Sequence, residues 1–214
     1  EVLDHDASAC RVVRLLAASS ELGRHLIAHP DDLAEVIRDP VRLGHDEICD
    51  DLLEVVGAHK EGEFTVAGTP TGPASDRLRL ANRRHLVRIA SRDVSADDPT
   101  EIIEDVAAEL ADLADGIVTA ALALARADCP DHADARLAII ALGKCGAQEL
   151  NYISDVDVMY VAEPANDDVS GASAVTIATK LAASVARMCS AHSGAGSIWQ
   201  VDAALRPEGN AGPL

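Results

Sequence analysis

Large aromatic side chains are almost absent from this chain. Phe64, Tyr152, Tyr160 and Trp199 are the whole set, 2% of 214 residues. Ala, Leu, Val and Ile must therefore fill any core, which suits closely packed helices. Positive charge is the second shortage. Lys and Arg number 18 against 36 Asp and Glu, a formal charge of −18. Such a surface repels a phosphate backbone and disfavours broad nucleic-acid binding, though a local basic patch could still take one small anion. No apolar run approaches the roughly 20 residues of a membrane helix, and no signal peptide is visible. The cysteines (Cys10, Cys49, Cys129, Cys145 and Cys189) are odd in number, widely spaced and without Cys-x-x-Cys. That favours free thiols in a reducing compartment over a disulfide framework or a zinc site. The eight histidines are scattered without metal-ligand spacing. An initiator Met is lacking and the chain stops just after a motif, which reads as a fragment of a longer cytoplasmic protein.

The 214 residues are enough for one sizeable domain or two small ones, and 48% of them are hydrophobic, sufficient for a buried core. Residues 8–37 read as helical. Val12, Val13, Leu15 and Leu16 open an apolar stripe that Leu22, Leu26 and Ile27 continue. His29-Pro30 breaks it, and Asp31 and Asp32 are placed to cap a short helix carrying Leu33, Val36 and Ile37. Residues 57–75, rich in Gly and Pro, read as a loop, either a flexible excursion or a truncated connection. A basic helix follows over 76–92, with Arg77, Arg84 and Arg88 on one face and Arg79, Arg83 and Arg92 nearby. The favoured reading is a solvated face paired with surplus carboxylates; the other is a phosphate or partner contact. Residues 98–127 give the most regular pattern. Asp98 suits an N-cap, Pro99 the first helical position and Glu101 a capping box. Val106, Leu110, Leu113, Ile117, Ala120 and Leu124 alternate spacings of four and three, a long seam for a neighbouring helix. Nothing on that helix points to chemistry.

After residue 136 the pattern changes. Leu137–Leu142 is a short continuous apolar run, typical of a buried central strand, and Val156–Ala162 is another. Residues 171–191 are Ala-rich and helical, with Val175, Ala178, Leu181, Val185 and Met188 on one face. Ser197–Leu205 reads as a third strand. The expected fold class is α+β: a helical N-terminal region, residues 1–136, then a mixed α/β core, residues 137–214.

The chemistry concentrates in that core. Side chains alternate across a strand, so Asp155 and Asp157 point the same way and Val156 points oppositely. Carboxylates held so close repel unless a cation neutralises them, and oxygen-only ligands suit a hard cation, Mg²⁺ or Mn²⁺. Asp202 lies inside an otherwise apolar strand and needs a partner, which the same ions would supply. Three carboxylates can hold two ions, an arrangement that clamps both oxygens of an in-line phosphoryl or nucleotidyl transfer. Gly143-Lys144-Cys145-Gly146 follows the first strand. Glycines let backbone approach a ligand, the helix opening there offers N–H groups to a phosphate, and Lys144 adds a point charge or is a solvent-facing turn residue. Ser154 can hydrogen-bond or cap. No Lys-Ser or Lys-Thr ends the turn, so it is not the phosphate loop of the NTPases.

These residues resemble the nucleotidyltransferase superfamily of DNA polymerase β and, more closely, the bifunctional glutamine synthetase adenylyltransferase/adenylyl-removing enzymes. That family carries Gly-Lys-x-Gly, Glu-Leu-(Asn or Gly), Ser-Asp-x-Asp and Val-Asp-x-Arg-Leu-Arg-Pro-x-Gly. Here they read Gly143-Lys144-Cys145-Gly146, Glu149-Leu150-Asn151, Ser154-Asp155-Val156-Asp157 and Val201-Asp202-Ala203-Ala204-Leu205-Arg206-Pro207-Glu208-Gly209. The likeness covers 137–214 well, with further likeness at 26–31 and 77–92. It departs at Ala204, where the family has Arg, at Ala147, where it has a second Gly, and at Cys145, where Leu is common. The Cys145 thiol reads as a small core side chain rather than a nucleophile.

The resemblance implies a polymerase β-like core with a small mixed sheet, truncated on its C-terminal side. The family has two such domains, the first removing adenylyl groups and the second adding them. Glu149-Leu150-Asn151, Gly212-Pro213-Leu214 and the helical lead-in resemble the first. The implied reaction is phosphorolysis of adenylylated tyrosine on glutamine synthetase, giving ADP. Asp155, Asp157 and Asp202 would hold Mg²⁺ or Mn²⁺, while Gly143, Lys144, Gly146 and Ser154 would orient phosphates of ADP, ATP or inorganic phosphate. Arg206 is an anion contact or a surface salt bridge, and Glu149 is structural. Glutamine synthetase is the implied partner, with a PII-type nitrogen signal protein acting through the full-length enzyme. Two alternatives stay open: adenylyl transfer from ATP by the same carboxylates, and a catalytically idle regulatory or docking module.

Overall fold

A computed structural model describes residues 6–68 and 71–203. Its fold is α+β. The helical stretch at the start divides twice rather than once. Helix α1 (Asp6–Ala18) and helix α2 (Ser20–Ala28) part at Ser19, whose extended backbone and Oγ, accepting the Leu22 N–H at 3.2 Å, form an N-cap. Pro30–Leu33 then makes a 3-10 turn before α3 (Ala34–Ile37). Asp31 and Asp32 lie inside that turn, so neither caps the helix as expected. Pro30 fixes the first φ of the turn and draws both acids into it, and Asp32 instead meets His25 Nε2 at 2.6 Å.

Helix α4 (His45–Val55) left little mark in the sequence, because it buries only Ile48 and Leu52. The expected loop at 57–75 is largely a β-hairpin, β1 (Ala58–Glu61) paired with β2 (Phe64–Ala67). Gly62, at φ 62°, makes the two-residue turn between Glu61 and Phe64, so what read as loop glycine is hairpin punctuation. Phe64 is held under Arg126, whose guanidinium sits 5.3 Å from the ring centre.

Helix α5 (Thr71–Asp93) starts earlier than expected, and α6 (Ile103–Ala127) follows. Asp98 does cap, accepting the Thr100 N–H at 2.9 Å, but it caps a 3-10 turn, Pro99–Glu101. Glu101 therefore falls outside a capping box. All six seam residues of α6 are buried. The helix packs against α4, α5 and β2, and also against α8 (Gly171–Ser190).

Of the α5 arginines only Arg77 is exposed as expected; the others are half-buried or buried rather than on a solvated face. Arg79 and Arg88 are only 4% and 6% exposed. Arg88 and Arg92 reach the fully buried Glu109 of α6 at 3.0 and 2.6 Å, and Arg84 reaches Asp51 of α4 at 2.7 Å. Pairing with carboxylates holds, but the partners lie on neighbouring helices and draw the guanidiniums inward. Arg79 donates to the Met188 carbonyl at 2.9 Å, joining α5 to the end of α8.

The later described residues include a three-stranded sheet: β3 (Ala135–Ala141), β4 (Val156–Pro164) and β5 (Val201–Asp202), in that spatial order. β3 runs antiparallel to β4, and β5 runs parallel to it after the crossover through α8. Among the described residues β3 is an edge strand, not the expected central one. Only one of its faces is covered: Ala135 and Leu137 are buried, while Ala138 and Ile140 are exposed. On α8, Ala174 and Ile177 take the buried places with Ala178, Leu181, Val185 and Met188, and Val175 is turned out at 45% exposure. Among the described residues no helix is long and apolar enough to cross a membrane.

Candidate active site

The sheet has a covered face and an open one. Val156 and Val158 of β4, both 2% exposed, face the helices. Asp157, Met159 and Val161 alternate to the other side, where Ile140 and Val161 remain 41% and 48% exposed. Asp157 and Asp202 are direct partners in the parallel register of β4 and β5. Paired residues on adjacent strands project from the same face, so both carboxylates belong to the open face. Asp155 lies one residue before β4. Exposure alternates across Asp155 (exposed), Val156 (buried) and Asp157 (half-buried), as in an extended strand.

The approach to Asp155 is built locally. Asn151 Oδ1 accepts the Ile153 N–H at 3.0 Å, an Asx turn. The Tyr152 hydroxyl donates to Asp93 of α5 at 3.0 Å. Burial, with Asp93 beside it, pushes the Tyr152 hydroxyl well above its ordinary range, so it stays a donor.

The glycine turn packs directly on the acids. The Leu142 N–H donates to the Asp157 carbonyl at 2.8 Å. Gly143, at φ 52°, opens the single-turn helix α7 (Gly143–Gly146), and a Cβ there would lie 2.5 Å from Asp157 Oδ2. Only glycine lets the turn sit so close to that carboxylate. A Cβ on Gly146 would lie 2.4 Å from the Ala141 carbonyl, so that glycine is required by the packing of α7 on β3 whatever else it does. Lys144 Nζ stands 3.5 Å from the Oγ of Ser154, the residue just before Asp155. Cys145 is buried, and burial first, then Asp115, Asp157 and Asp112, push its thiol up to about 11, the chemistry of a core side chain rather than a nucleophile. Glu149 is exposed, and its N–H closes the turn on the Lys144 carbonyl at 2.7 Å. Arg206, Ala204 and the Gly212-Pro213-Leu214 end lie outside the described residues.

One grouping left no clear mark in the sequence. His45 and Cys49 of α4 and Asp115 of α6 bring their ligand atoms within 4.8 Å of one another. The signal was the i, i+4 spacing of His45 and Cys49, legible only once residues 45–55 are known to be helical.

The family model described as glutamate-ammonia ligase adenylyltransferase matches residues 9–214. The chain belongs to that family. Among curated proteins it is similar to bifunctional glutamine synthetase adenylyltransferase/adenylyl-removing enzymes. The one from Cutibacterium acnes is 99% identical over 214 residues, all of this chain and 22% of the relative. That of Streptomyces avermitilis is 45% identical over 95% of the chain and 19% of the relative. The Mycobacterium tuberculosis protein is 41% identical, again over 95% of the chain and 19% of the relative. The chain thus spans about a fifth of the length of these relatives.

Proposed function

We propose that this chain carries a metal-dependent nucleotidyl-transfer site that removes AMP from adenylylated tyrosine of glutamine synthetase by phosphorolysis, releasing ADP, in the cytoplasm. The observation that supports it is the pairing of Asp157 with Asp202 on an open sheet face, with Gly143 flush against Asp157. Like charges set opposite one another on a sheet are destabilising, so such a pair fits a cation-binding role. The donors are carboxylate oxygens alone, which fits Mg²⁺ or Mn²⁺.

Asp155, Asp157 and Asp202 would hold the ions. Bound divalent ions would supply charge neutralisation at the transferred phosphate. The rest is done by the chain. Lys144 and Ser154, 3.5 Å apart, orient phosphate oxygens on the approach side. Gly143 and Gly146 keep the turn free of side chains, so that a phosphate meets backbone. Arg206 is a further anion contact. Asp202, half-buried like Asp157, takes or returns the tyrosine proton. Glutamine synthetase is the macromolecular substrate, and a PII-type signal protein acts through the remainder of the full-length enzyme.

The test is to incubate adenylylated glutamine synthetase with inorganic phosphate, Mg²⁺ and the chain, and to follow ADP. Phosphate-dependent ADP release, absent in Asp157→Asn, supports the reading. AMP transfer from ATP to unmodified synthetase with no phosphorolysis would reverse the direction, and no turnover either way alongside intact folding would leave a docking module.

A further inference from the structure

We propose that α4 and α6 hold a second, chemically different metal site, for a zinc-class divalent ion, at His45, Cys49 and Asp115. This site does not depend on the nucleotidyl-transfer reading. Nitrogen, sulfur and oxygen donors together suit a borderline-soft ion rather than Mg²⁺.

Gly116 makes the cluster possible. A Cβ there would lie 2.8 Å from Leu52 Cδ1 and 3.5 Å from Cys49 Cα. Without that side chain α4 closes onto α6, and the neighbouring Asp115 meets the His45–Cys49 face. The spacings are those of ligands sharing an ion. Metal–ligand distances of about 2.0–2.3 Å at tetrahedral angles put donor atoms about 3.3–3.6 Å apart. Cys49 Sγ and His45 Nε2 are already 3.5 Å apart. His45 Nε2 and Asp115 Oδ2 are 2.5 Å apart, so that pair must open by less than about 1 Å to admit the ion.

The ring is also oriented for it. Nδ1 of His45 faces Asp46 Oδ1 at 3.1 Å, which leaves Nε2 to the ion. A carboxylate behind a histidine ligand is the usual support of such sites. His45 and Asp115 are exposed, so the ion can enter from solvent and keep a water as fourth ligand. The surroundings favour a dication. Asp46 and Asp112 add negative charge. Arg42, the facing cation, is occupied with Asp105 and, at 3.7 Å, with Asp112. Bound as thiolate, Cys49 would release its proton to solvent.

Co²⁺ serves as the spectroscopic probe on the purified chain. One equivalent should give a thiolate-to-cobalt charge-transfer band, abolished by one equivalent of Zn²⁺. Cys49→Ser and His45→Ala should remove the band. Cys10→Ser should keep it, as should the double variant Asp155→Asn, Asp157→Asn, which separates this site from the other. Asp46→Asn should weaken Co²⁺ binding by about 10–100-fold. Should a variant fold poorly, the unaltered chain answers alone: Zn²⁺ should protect Cys49 from N-ethylmaleimide while the exposed Cys10 still reacts. No band at stoichiometric Co²⁺, a band that survives Cys49→Ser, or equal labelling of Cys49 with and without Zn²⁺ would overturn the proposal.

Discussion

Replacing Gly143 with Ala tests the link between the turn and the acids. A methyl at this position has two consequences. The backbone sits at φ 52°, where an L-residue with a Cβ is disfavoured by about 1–2 kcal/mol. For a chain of this size that corresponds to a fall in Tm of about 2–8 °C. The new methyl would also stand 2.5 Å from Asp157 Oδ2. A carboxylate can swing away more easily than backbone can, so the clash is relieved by moving Asp157 off its position opposite Asp202. The metal-free Tm should drop modestly while Mn²⁺ affinity, read by electron paramagnetic resonance, falls sharply. Gly171→Ala is the control. Gly171 begins α8, and a methyl added there would meet nothing within 4 Å among the described residues, so the change should be neutral or slightly stabilising. If Gly143→Ala keeps both its parent Tm and its Mn²⁺ affinity, Gly143 does not set the position of Asp157.

Three further outcomes follow from the helices around the site. Glu109→Ala strands Arg88 and Arg92 without their buried partner and should cost about 3–5 kcal/mol in urea unfolding; a loss under about 1 kcal/mol would show that the pair is dispensable. Asp51 is held below its ordinary carboxylate value of 3.8 mainly by its bond to His85, with Arg84 also contributing. Its folded pKa is depressed, so its contribution is complete above the unfolded value and is lost as pH falls below about 3.8 through the folded value. Asp51→Asn should therefore flatten the acid limb of a stability–pH curve, and an unchanged limb would contradict this. Tyr152→Phe removes the tether from Tyr152 to Asp93 and should cost about 1 kcal/mol, with turnover reduced because Ser154 and Asp155 follow directly; full turnover would detach that anchor from the site.

How much of this was legible depended on whether the signal was local. The seam of α6 could be read because Val106 through Leu124 repeat at helical spacing, and each of the six seam residues is buried. The α+β division was legible from the change of period after residue 136. Helix α4 was not, because two buried residues among acids make no stripe. The hairpin was hidden by its own turn glycine and by a first strand, Ala58-His59-Lys60-Glu61, with three exposed residues. The basic helix showed its charge but not its burial, since Asp51 and Glu109 lie 33 and 21 positions away from Arg84 and Arg88. At the site, the proximity of Asp155 and Asp157 is a matter of strand geometry. The pairing of Asp157 with Asp202 is not, because it is fixed by the return of the chain through α8 to the parallel side of β4.

The most direct measurement is Mn²⁺ binding by the chain in the presence of ADP, in a Cys49→Ser background that removes the α4–α6 cluster. Tight binding that disappears in Asp157→Asn and again in Asp202→Asn is the expected result. Equal Mn²⁺ affinity in the background protein and both variants would show that the paired acids do not hold the ions.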